Sequence, residues 1–227
     1  MNLREILSAV YGETGYVVPD SFFGSPSPDD IQVCFLANRA SSYLREKGFQ
    51  RLIKRFTITL TTSETYALPS DYLEIVPDTA YIDGRIDAAY LPTSAPTWAW
   101  LKSQNSTSSY TCFSRIIDNE LNINAPSPGE VLAFEYISNC PITDSTGVTF
   151  KQRFTADTDE WLLDDDLIIL ETKWRFEKAK GIEGWEVSAQ ESKDYRNSVM
   201  ARDKTAKTIG PRQDSVLAEP YTPLWVS

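Results

Sequence analysis

The sequence predicts an α+β protein, a small helical bundle with an inserted, mostly antiparallel β region and an extended C-terminal arm. Apolar residues recur at helical spacing before residue 50 and again after residue 164. Between these segments the hydrophobic period changes to two, in runs rich in β-branched residues. Strands grouped between helices are typical of the α+β class. We therefore expect helices over residues 1–52 and 150–204, β structure over 53–140 and the arm over 205–227.

Two helices are predicted near the N-terminus. The first ends at Gly12 and Gly15, and its apolar residues are Leu3, Ile6, Leu7 and Val10. In the second, Ser27 is placed to be the N-cap, Pro28 stands at the first helical position and Gly48 ends the helix. The predicted apolar face of this helix consists of Ile31, Phe35, Leu36, Ala40, Tyr43 and Leu44.

The β region begins where the period changes. Residues 55–60, RFTITL, alternate polar and apolar side chains and predict a half-buried strand. Residues 65–69 and 80–83 predict shorter strands. Residues 120–124 and 131–137 are separated by APSPGE, in which proline and glycine favour a turn. These two segments predict a β-hairpin.

Two further helices are predicted after the β region. The segment from Asp157 to Gly181 begins with acidic and ends with basic residues, which matches the helix macrodipole. Asp164 is the predicted N-cap, and Gly181 is placed to end the helix. The predicted core positions, on more than one side of this helix, are Leu167, Leu170, Trp174 and Phe176. The last helix carries a narrower stripe, typical of a surface helix: Trp185, Ala189, Ser192 and Val199.

Composition excludes several classes of protein. The chain has 227 residues, 41% of them hydrophobic, and a formal net charge of −10. Binding to nucleic acid through a basic surface is disfavoured by this charge. The three cysteines are far apart and form no CxxC motif, so we expect reduced structural thiols in a cytosolic protein. We expect neither a signal peptide nor a membrane span.

Candidate catalytic chemistry is confined to carboxylates. The sequence contains no histidine, which excludes Ser-His-Asp and Cys-His sites and zinc sites built on imidazole. It also contains no glycine-rich phosphate-binding motif. The densest acids lie between residues 157 and 166, where a solvated loop and a helix N-terminus are the favoured interpretation. We expect no cofactor, no metal and no enzymatic activity.

Tryptophans supply candidate binding residues. Trp98 and Trp100 follow Pro96 and are interpreted as loop or strand-edge anchors, with exposed contacts as the alternative. Trp225 lies in a segment without periodicity, together with Tyr221, Pro223, Leu224 and Val226. Aromatic anchors dominate interface energetics, so we expect this segment to bind a partner. The alternative is that Trp225 packs on its own domain.

Four segments in order resemble a known family. They are ALPSDYLEIV (67–76), LNINAPSPGEVLAFEYIS (121–138), FTADTDEWLLDDDLIILETKWRFEKAKG (154–181) and the trailing helix to about residue 202. The third segment is the most specific. On these segments the chain resembles the head-to-tail adaptor proteins of short-tailed bacteriophages, also called tail accessory or DNA-stabilisation proteins.

The resemblance implies a structural protein of the virion neck. Such a subunit docks beneath the portal ring, and about twelve copies form a ring that extends the DNA channel and supports tail or nozzle proteins. The resemblance also implies a portal-binding arm, here Tyr221, Pro223, Leu224, Trp225 and Val226. DNA would pass without specific binding, because an acidic lumen does not retain phosphates.

Two alternatives remain open at this point. A virion-associated hydrolase of cell-wall glycan requires only a pair of carboxylates, for which Glu160 and Asp164 are the candidates. A generic interaction domain of a cellular protein is the third interpretation. The adaptor is favoured, because the resemblance covers segments from residue 67 to residue 202.

Overall fold

The computed structural model describes residues 1–84, 89, 91, 93–103, 112–124 and 126–205. The helices in these ranges are α1 (Leu3–Thr14), α2 (Pro28–Arg45), α3 (Ala95–Ser103), α4 (Asp165–Lys180) and α5 (Trp185–Thr205). The strands are β1 (Ile53–Thr59), β2 (Thr65–Ala67), β3 (Tyr72–Ile75), β4 (Tyr81–Ile82), β5 (Phe113–Ile117), β6 (Glu120–Asn124), β7 (Val131–Ser138), β8 (Ile142–Thr143), β9 (Phe150–Lys151) and β10 (Glu160–Trp161). The described strand pairings are antiparallel, and the predicted α+β class is confirmed.

The helices α1, α2, α4 and α5 form a helical body in which α4 is central. α4 packs against each of the other three helices. Its Ile168, Thr172 and Phe176 are fully buried, whereas Glu171 accepts a hydrogen bond from Ser192 of α5. Because α4 has neighbours on several sides, apolar residues are spread around it, which agrees with the prediction of burial on more than one side.

Local signals correctly predict the end of α1 and both ends of α4. Asn2 and Glu5 form a reciprocal capping box at the start of α1, and Gly15 follows its end with φ of 77°. The Asp164 carboxylate accepts a hydrogen bond from the Asp166 amide at the start of α4. Gly181 has φ of 67°, a left-handed conformation that glycine adopts without a Cβ clash. Both predictions for α4 are confirmed.

The predicted face of α2 is partly wrong. Ile31 and Phe35 are 58% and 65% exposed. The buried face instead follows the smaller residues Val33, Ala37 and Ala40, which continue to Leu44 at helical spacing. Small side chains let α2 approach the body closely, and that leaves the larger pair on the opposite side. The helix also ends at Arg45, three residues before the predicted Gly48.

A second unit, the β insertion, extends from β1 to β7. β7 is its central strand and pairs with β1, β3 and β4. A second sheet has the order β2-β6-β5. The core of the insertion is built around Leu121, Leu132 and Phe134, each of them fully buried. The segments of the strand β3 and the helix α3 were predicted as loops, and no element was predicted for the strand β5.

The predicted hairpin of residues 120–124 with 131–137 is wrong, although both strands exist. β6 pairs with β2 and β5, and β7 belongs to the other sheet. The connector binds the end of β1 instead, because the Leu60 amide donates to Glu130 and the Gly129 amide donates to Leu60. The true hairpin joins β5 and β6 through Asp118 and Asn119, with φ of 52° and 63°. These values are typical of a tight two-residue hairpin turn.

The insertion leaves the body through two adjacent strands. Ile53 of β1 is the register partner of Ile137 of β7, so the chain enters and leaves the insertion side by side. After the insertion, β8, β9 and β10 form a small sheet in the order β10-β8-β9. This sheet adjoins α1, because the Trp161 amide donates to the Met1 carbonyl. The two ends of the body are thereby joined.

Candidate functional site

The acidic segment before α4 binds its own chain. Asp157 accepts hydrogen bonds from the Ser21 hydroxyl and from the amides of Phe22 and Phe23. Asp159 is buried, forms a 2.7 Å ion pair with Lys151 and accepts a hydrogen bond from the Thr155 amide. Burial raises the pKa of Asp159, but these contacts outweigh it and lower the pKa below its ordinary value. These carboxylates hold loops in place.

The candidate pair Glu160 and Asp164 is divided between two environments. Glu160 is exposed on β10. Asp164 caps α4 through the Asp166 amide and also accepts a hydrogen bond of 3.0 Å from the Tyr195 hydroxyl. Both contacts engage the same oxygen, Oδ1 of Asp164. Its carboxylate therefore has a structural task at the helix start.

Cysteine thiols and metal-binding side chains are further candidates for reactive groups. Cys34 and Cys140 are free, buried thiols, and Cys112 is partly buried. Burial and the nearby Asp157 and Asp30 raise the pKa of Cys34 to about 12, so this thiol stays protonated at neutral pH. In the part of the chain that the structure describes, no three His, Cys, Asp or Glu side chains are grouped so that they could hold a metal ion.

The most distinctive surface is a basic and aromatic groove where α2, α4 and α5 meet. We call it the outer groove, and it is lined by Leu36, Arg39, Tyr43, Glu171, Trp174, Arg175, Lys178, Ala179, Ala189, Lys193 and Arg196. Its floor is Glu171, which is 2% exposed and pairs with both Arg175 and Arg196. The two guanidinium groups lie 5.3 and 5.1 Å from the Tyr43 ring centroid. These contacts hold both arginines in fixed positions.

A ridge divides the outer groove into two cavities. Trp174 and Arg175 form this ridge and line both cavities, which have volumes of about 300 and 320 Å³. The Trp174 ring stacks on Trp185 of α5 at a centroid distance of 6.5 Å. The Arg175 guanidinium lies 4.5 Å from the Trp174 ring, and the Lys178 ammonium lies 4.4 Å from the Trp185 ring. The aromatic rings therefore support the cations along α4.

The predicted core residues of α4 fall into two groups. Leu167 and Phe176 are buried within the body core. Leu170 and Trp174 are only half-buried, and Trp174 forms the ridge described above. The predicted portal-binding residues all lie outside the described residues; they are Tyr221, Pro223, Leu224, Trp225 and Val226. Of the other tryptophans, Trp98 is buried and Trp100 is exposed on α3, a helix rather than the expected loop.

A second polar site, the Asp71 cleft, lies where the insertion meets the body. Asp71 pairs with Lys54 at 2.7 Å and accepts hydrogen bonds of 2.8 Å from the hydroxyls of Tyr136 and Ser138. Burial raises the pKa of Asp71, but the bonds from these three residues outweigh it and lower the pKa below its ordinary value. The Lys54 ammonium also lies 3.7 Å from the ring centroid of Phe150, on β9 of the body.

The Asp71 cleft has a volume of about 620 Å³. Its charged groups are paired with each other, since the Lys54 ammonium and the Tyr136 hydroxyl are both bound to Asp71. Lys54 and Asp71 come from the insertion and Phe150 comes from the body. We interpret the cleft as the joint between the two units rather than as a reaction site.

Exposed apolar side chains form a further candidate surface. Ile31 and Phe35 are one helical turn apart on α2 and point away from the body core. Val17 and Phe23 are exposed in the loop before α2, and Val187 is exposed on α5. Large apolar side chains on rigid helices are typical of contact surfaces when they are contiguous.

Sequence reasoning found only part of the outer groove. The cluster of basic residues from Lys173 to Lys180 was recognised as a favourable helix end. The i,i+4 spacing of Glu171 and Arg175 is a further signal of an ion pair on one helix face. No local pattern shows that Tyr43 and Arg196, from other helices, meet this pair.

Two comparisons, with models of protein families and with curated proteins, found no match for this chain. Among the described helices, none is both long enough and apolar enough to span a membrane.

Proposed function

We propose that this chain is a structural adaptor subunit of a short-tailed bacteriophage. About twelve copies form a ring beneath the portal in the virion neck, extend the DNA channel and provide a platform for tail or nozzle proteins. The subunit is assembled in the host cytoplasm, needs no cofactor and catalyses no reaction. DNA passes through the ring without specific binding.

The layout of the fold is the observation that carries this proposal. A helical body built from both ends of the chain holds a β insertion between α2 and α4, and the resemblance implies such a layout. In a ring, the body would contact neighbouring subunits, and the insertion would contact a second protein. Fold alone does not determine function, so the proposal also rests on the surfaces of the body.

The surfaces of the body favour contact over catalysis. Asp157, Asp159 and Asp164 are used as loop and helix caps. Ile31 and Phe35 are exposed on a well-formed helix and would be costly to leave in water. A ring supplies partners for such residues, because a head-to-tail contact joins one surface of each subunit to a different surface of the next.

The net charge of −10 per subunit is compatible with a DNA channel. A ring of about twelve such subunits has a strongly acidic character, and acidic walls repel phosphates at short range. Such a lumen would let DNA move through it without a counterion-release contribution to binding.

Mixing the purified chain with the portal ring of the same phage tests the proposal. Negative-stain electron microscopy is expected to show an added ring layer beneath the portal, with matching symmetry. Removing the residues after Lys207 should abolish this layer, and Trp225→Ala should weaken it. Trp100→Ala is the matched control, since Trp100 is an exposed tryptophan on the insertion.

Two outcomes would contradict the proposal. An undecorated portal at high protein concentration would remove the adaptor role. Glycan cleavage in a zymogram that is lost in Glu160→Gln and in Asp164→Asn would replace that role with hydrolysis. Undiminished portal binding by the truncated chain would reject the arm assignment while leaving the ring intact.

A further inference from the structure

We infer that the outer groove is a docking site for an acidic, partly apolar segment of a partner protein. This inference goes beyond the adaptor proposal and does not depend on the portal or the C-terminal arm. It rests on the charge, the fixed geometry and the shape of the groove.

Charge is the first argument. The chain has a net charge of −10, yet the described residues that line the outer groove include five cations and one carboxylate. That carboxylate, Glu171, is shared by Arg175 and Arg196. Among the described residues, no carboxylate lies within 4.0 Å of the charged groups of Arg39, Lys178 or Lys193. The groove therefore holds uncompensated positive charge in an acidic protein.

Fixed geometry is the second argument. Glu171 is buried and bound by Ser192 at 2.6 Å, so its two oxygens are held in place. Arg196 binds one of these oxygens at 3.2 Å, and Arg175 binds the other. Both guanidinium groups lie against Tyr43. Arg175 and Arg196 share one carboxylate between two cations, so a partner carboxylate would meet two guanidinium groups that are already ordered, which lowers the entropy cost of binding.

Shape is the third argument. Each cavity, at about 300 or 320 Å³, lies at the small end of ligand sites and has room for one or two side chains. The Trp174 and Arg175 ridge between the cavities separates two such positions along a partner segment. Leu36, Ala179 and Ala189 add apolar wall area next to the cations. A segment that alternates carboxylate and apolar side chains matches this lining.

A nucleic acid matches the groove less well. Phosphate backbones carry dense, regular charge, and a protein with a net charge of −10 repels them at a distance. The cations of the groove are divided by an aromatic ridge and interleaved with alanine and leucine. A short peptide with a few carboxylates carries far less repulsive charge and gains from the apolar wall.

Calorimetric titration of the full chain tests this inference. The probe is a capped hexapeptide of alternating glutamate and leucine, with a glutamine–leucine peptide and a 12-nucleotide oligothymidylate as comparison ligands. We expect the glutamate peptide to bind with an affinity that falls as salt rises. We expect the glutamine peptide to bind at least tenfold more weakly.

Charge-reversal variants show whether the glutamate peptide binds in the outer groove. Lys178→Glu with Lys193→Glu should weaken the glutamate peptide at least tenfold, since both lysines are exposed and line the groove. Arg51→Glu with Arg153→Glu is the matched control, because both arginines are exposed, lie outside the groove lining and change the net charge equally. This control should bind within twofold of the unmodified chain.

Three results would overturn the inference. They are no binding of the glutamate peptide at millimolar concentration, equal binding by the two charge-reversal variants, and tighter binding of the oligothymidylate than of the peptide. The last result would assign the groove to nucleic acid. Because the probes are synthetic, none of these results bears on portal binding.

Discussion

The helical body and the β insertion are stabilised by two separate cores of different origin. The core of the body draws on residues 3–52 and 142–176, which lie on either side of the insertion in the sequence. The core of the insertion comes from one continuous stretch, residues 60–136. The body therefore depends on contacts between distant parts of the chain, whereas the insertion closes on itself. Continuous segments of this kind are the ones that fold as units.

The joint between the two units combines an apolar strand pair with a polar cluster. Ile53 and Ile137 are paired where the chain enters and leaves the insertion. Beside them, Asp71 holds Lys54, and Lys54 lies over Phe150 of the body. Because the two clusters of buried residues are separate, we expect the cores to unfold with little energetic coupling, and we expect the Asp71 cleft to contribute to the joint between them.

Truncating one large side chain in each core should have the largest effect on stability. Phe176 and Phe134 are both fully buried, the first in the body and the second in the insertion. We expect Phe176→Ala and Phe134→Ala each to lower the free energy of unfolding of their own unit by about 3–5 kcal/mol. Hydrogen exchange should then accelerate in α1, α2 and α4 for the first variant and in β1, β6 and β7 for the second.

The regions in which hydrogen exchange becomes faster show whether the two cores are independent. Phe176 contacts Tyr11 and Tyr16 at centroid distances of 5.4 and 5.0 Å, whereas Phe134 contacts Phe56 at 5.4 Å. None of these neighbours is shared. If either variant accelerated exchange in both units equally, the two cores would form one cooperative unit, and the comparison would be wrong.

The joint itself should give the next largest effect. Asp71→Asn removes the charge that balances Lys54 and leaves that ammonium partly buried. We therefore expect the free energy of unfolding to fall by about 1–3 kcal/mol. The folded-state pKa of Asp71 is lowered, so its ionic contribution is complete above the ordinary carboxyl pKa of about 3.9. That contribution is lost as the pH falls through the folded pKa. The stability difference between wild type and variant should therefore shrink below about pH 4.

Urea unfolding measured from about pH 3 to about pH 7 tests the direction of this pH dependence. Asp159→Asn is a useful comparison, because its pKa is also lowered but its ion pair with Lys151 lies within the body. An Asp71→Asn variant whose deficit grew on acidification would show that the ionised carboxylate is not what stabilises the joint.

The start of α4 should give a smaller effect. Asp164→Ala removes the capping bond to the Asp166 amide and the bond from Tyr195. We expect the free energy of unfolding of the body to fall by about 1 kcal/mol. This change would be measured as a shift in the urea midpoint with an unchanged slope. Asp164→Ser should recover most of it, because serine is an equally good N-cap. Equal losses in both variants would assign the effect to the Tyr195 contact.

Sequence-based predictions were correct where the interacting residues lie close together in the sequence. Asp164 and Gly181 were predicted correctly, because capping depends on residues within one helical turn. The α+β class followed from the change of period, which is also local. These signals gave the element types at both ends of the chain.

Sequence reasoning failed where partners were distant or where two local patterns competed. β6 and β7 looked like a hairpin across a proline-containing connector, but their partners lie elsewhere in the insertion. In α2, the stripe with Phe35 competed with the stripe through Val33 and Ala37, and packing against the body selected the smaller residues. The outer groove was missed for the first reason, because its residues come from three helices.

Excision of the insertion should have the smallest effect on the body. The paired Ile53 and Ile137 allow residues 54–136 to be replaced by Asn-Gly, a two-residue sequence that favours a tight hairpin turn. The remaining chain keeps all residues of the body core. We expect a helical circular-dichroism spectrum and a cooperative urea transition, with a free energy of unfolding of the body within about 1 kcal/mol of its value in the full chain.

Excision and Asp71→Asn differ in how many members of the polar pair they remove. Asp71→Asn leaves Lys54 without its counter-charge, whereas excision removes both residues together. Removing both partners of a polar pair is often nearly neutral, while removing one leaves the other unsatisfied. Excision should therefore lower the stability of the body by less than Asp71→Asn lowers the stability of the insertion and its joint, although it deletes far more of the chain. The opposite ranking would mean that the body relies on the insertion for more than this joint.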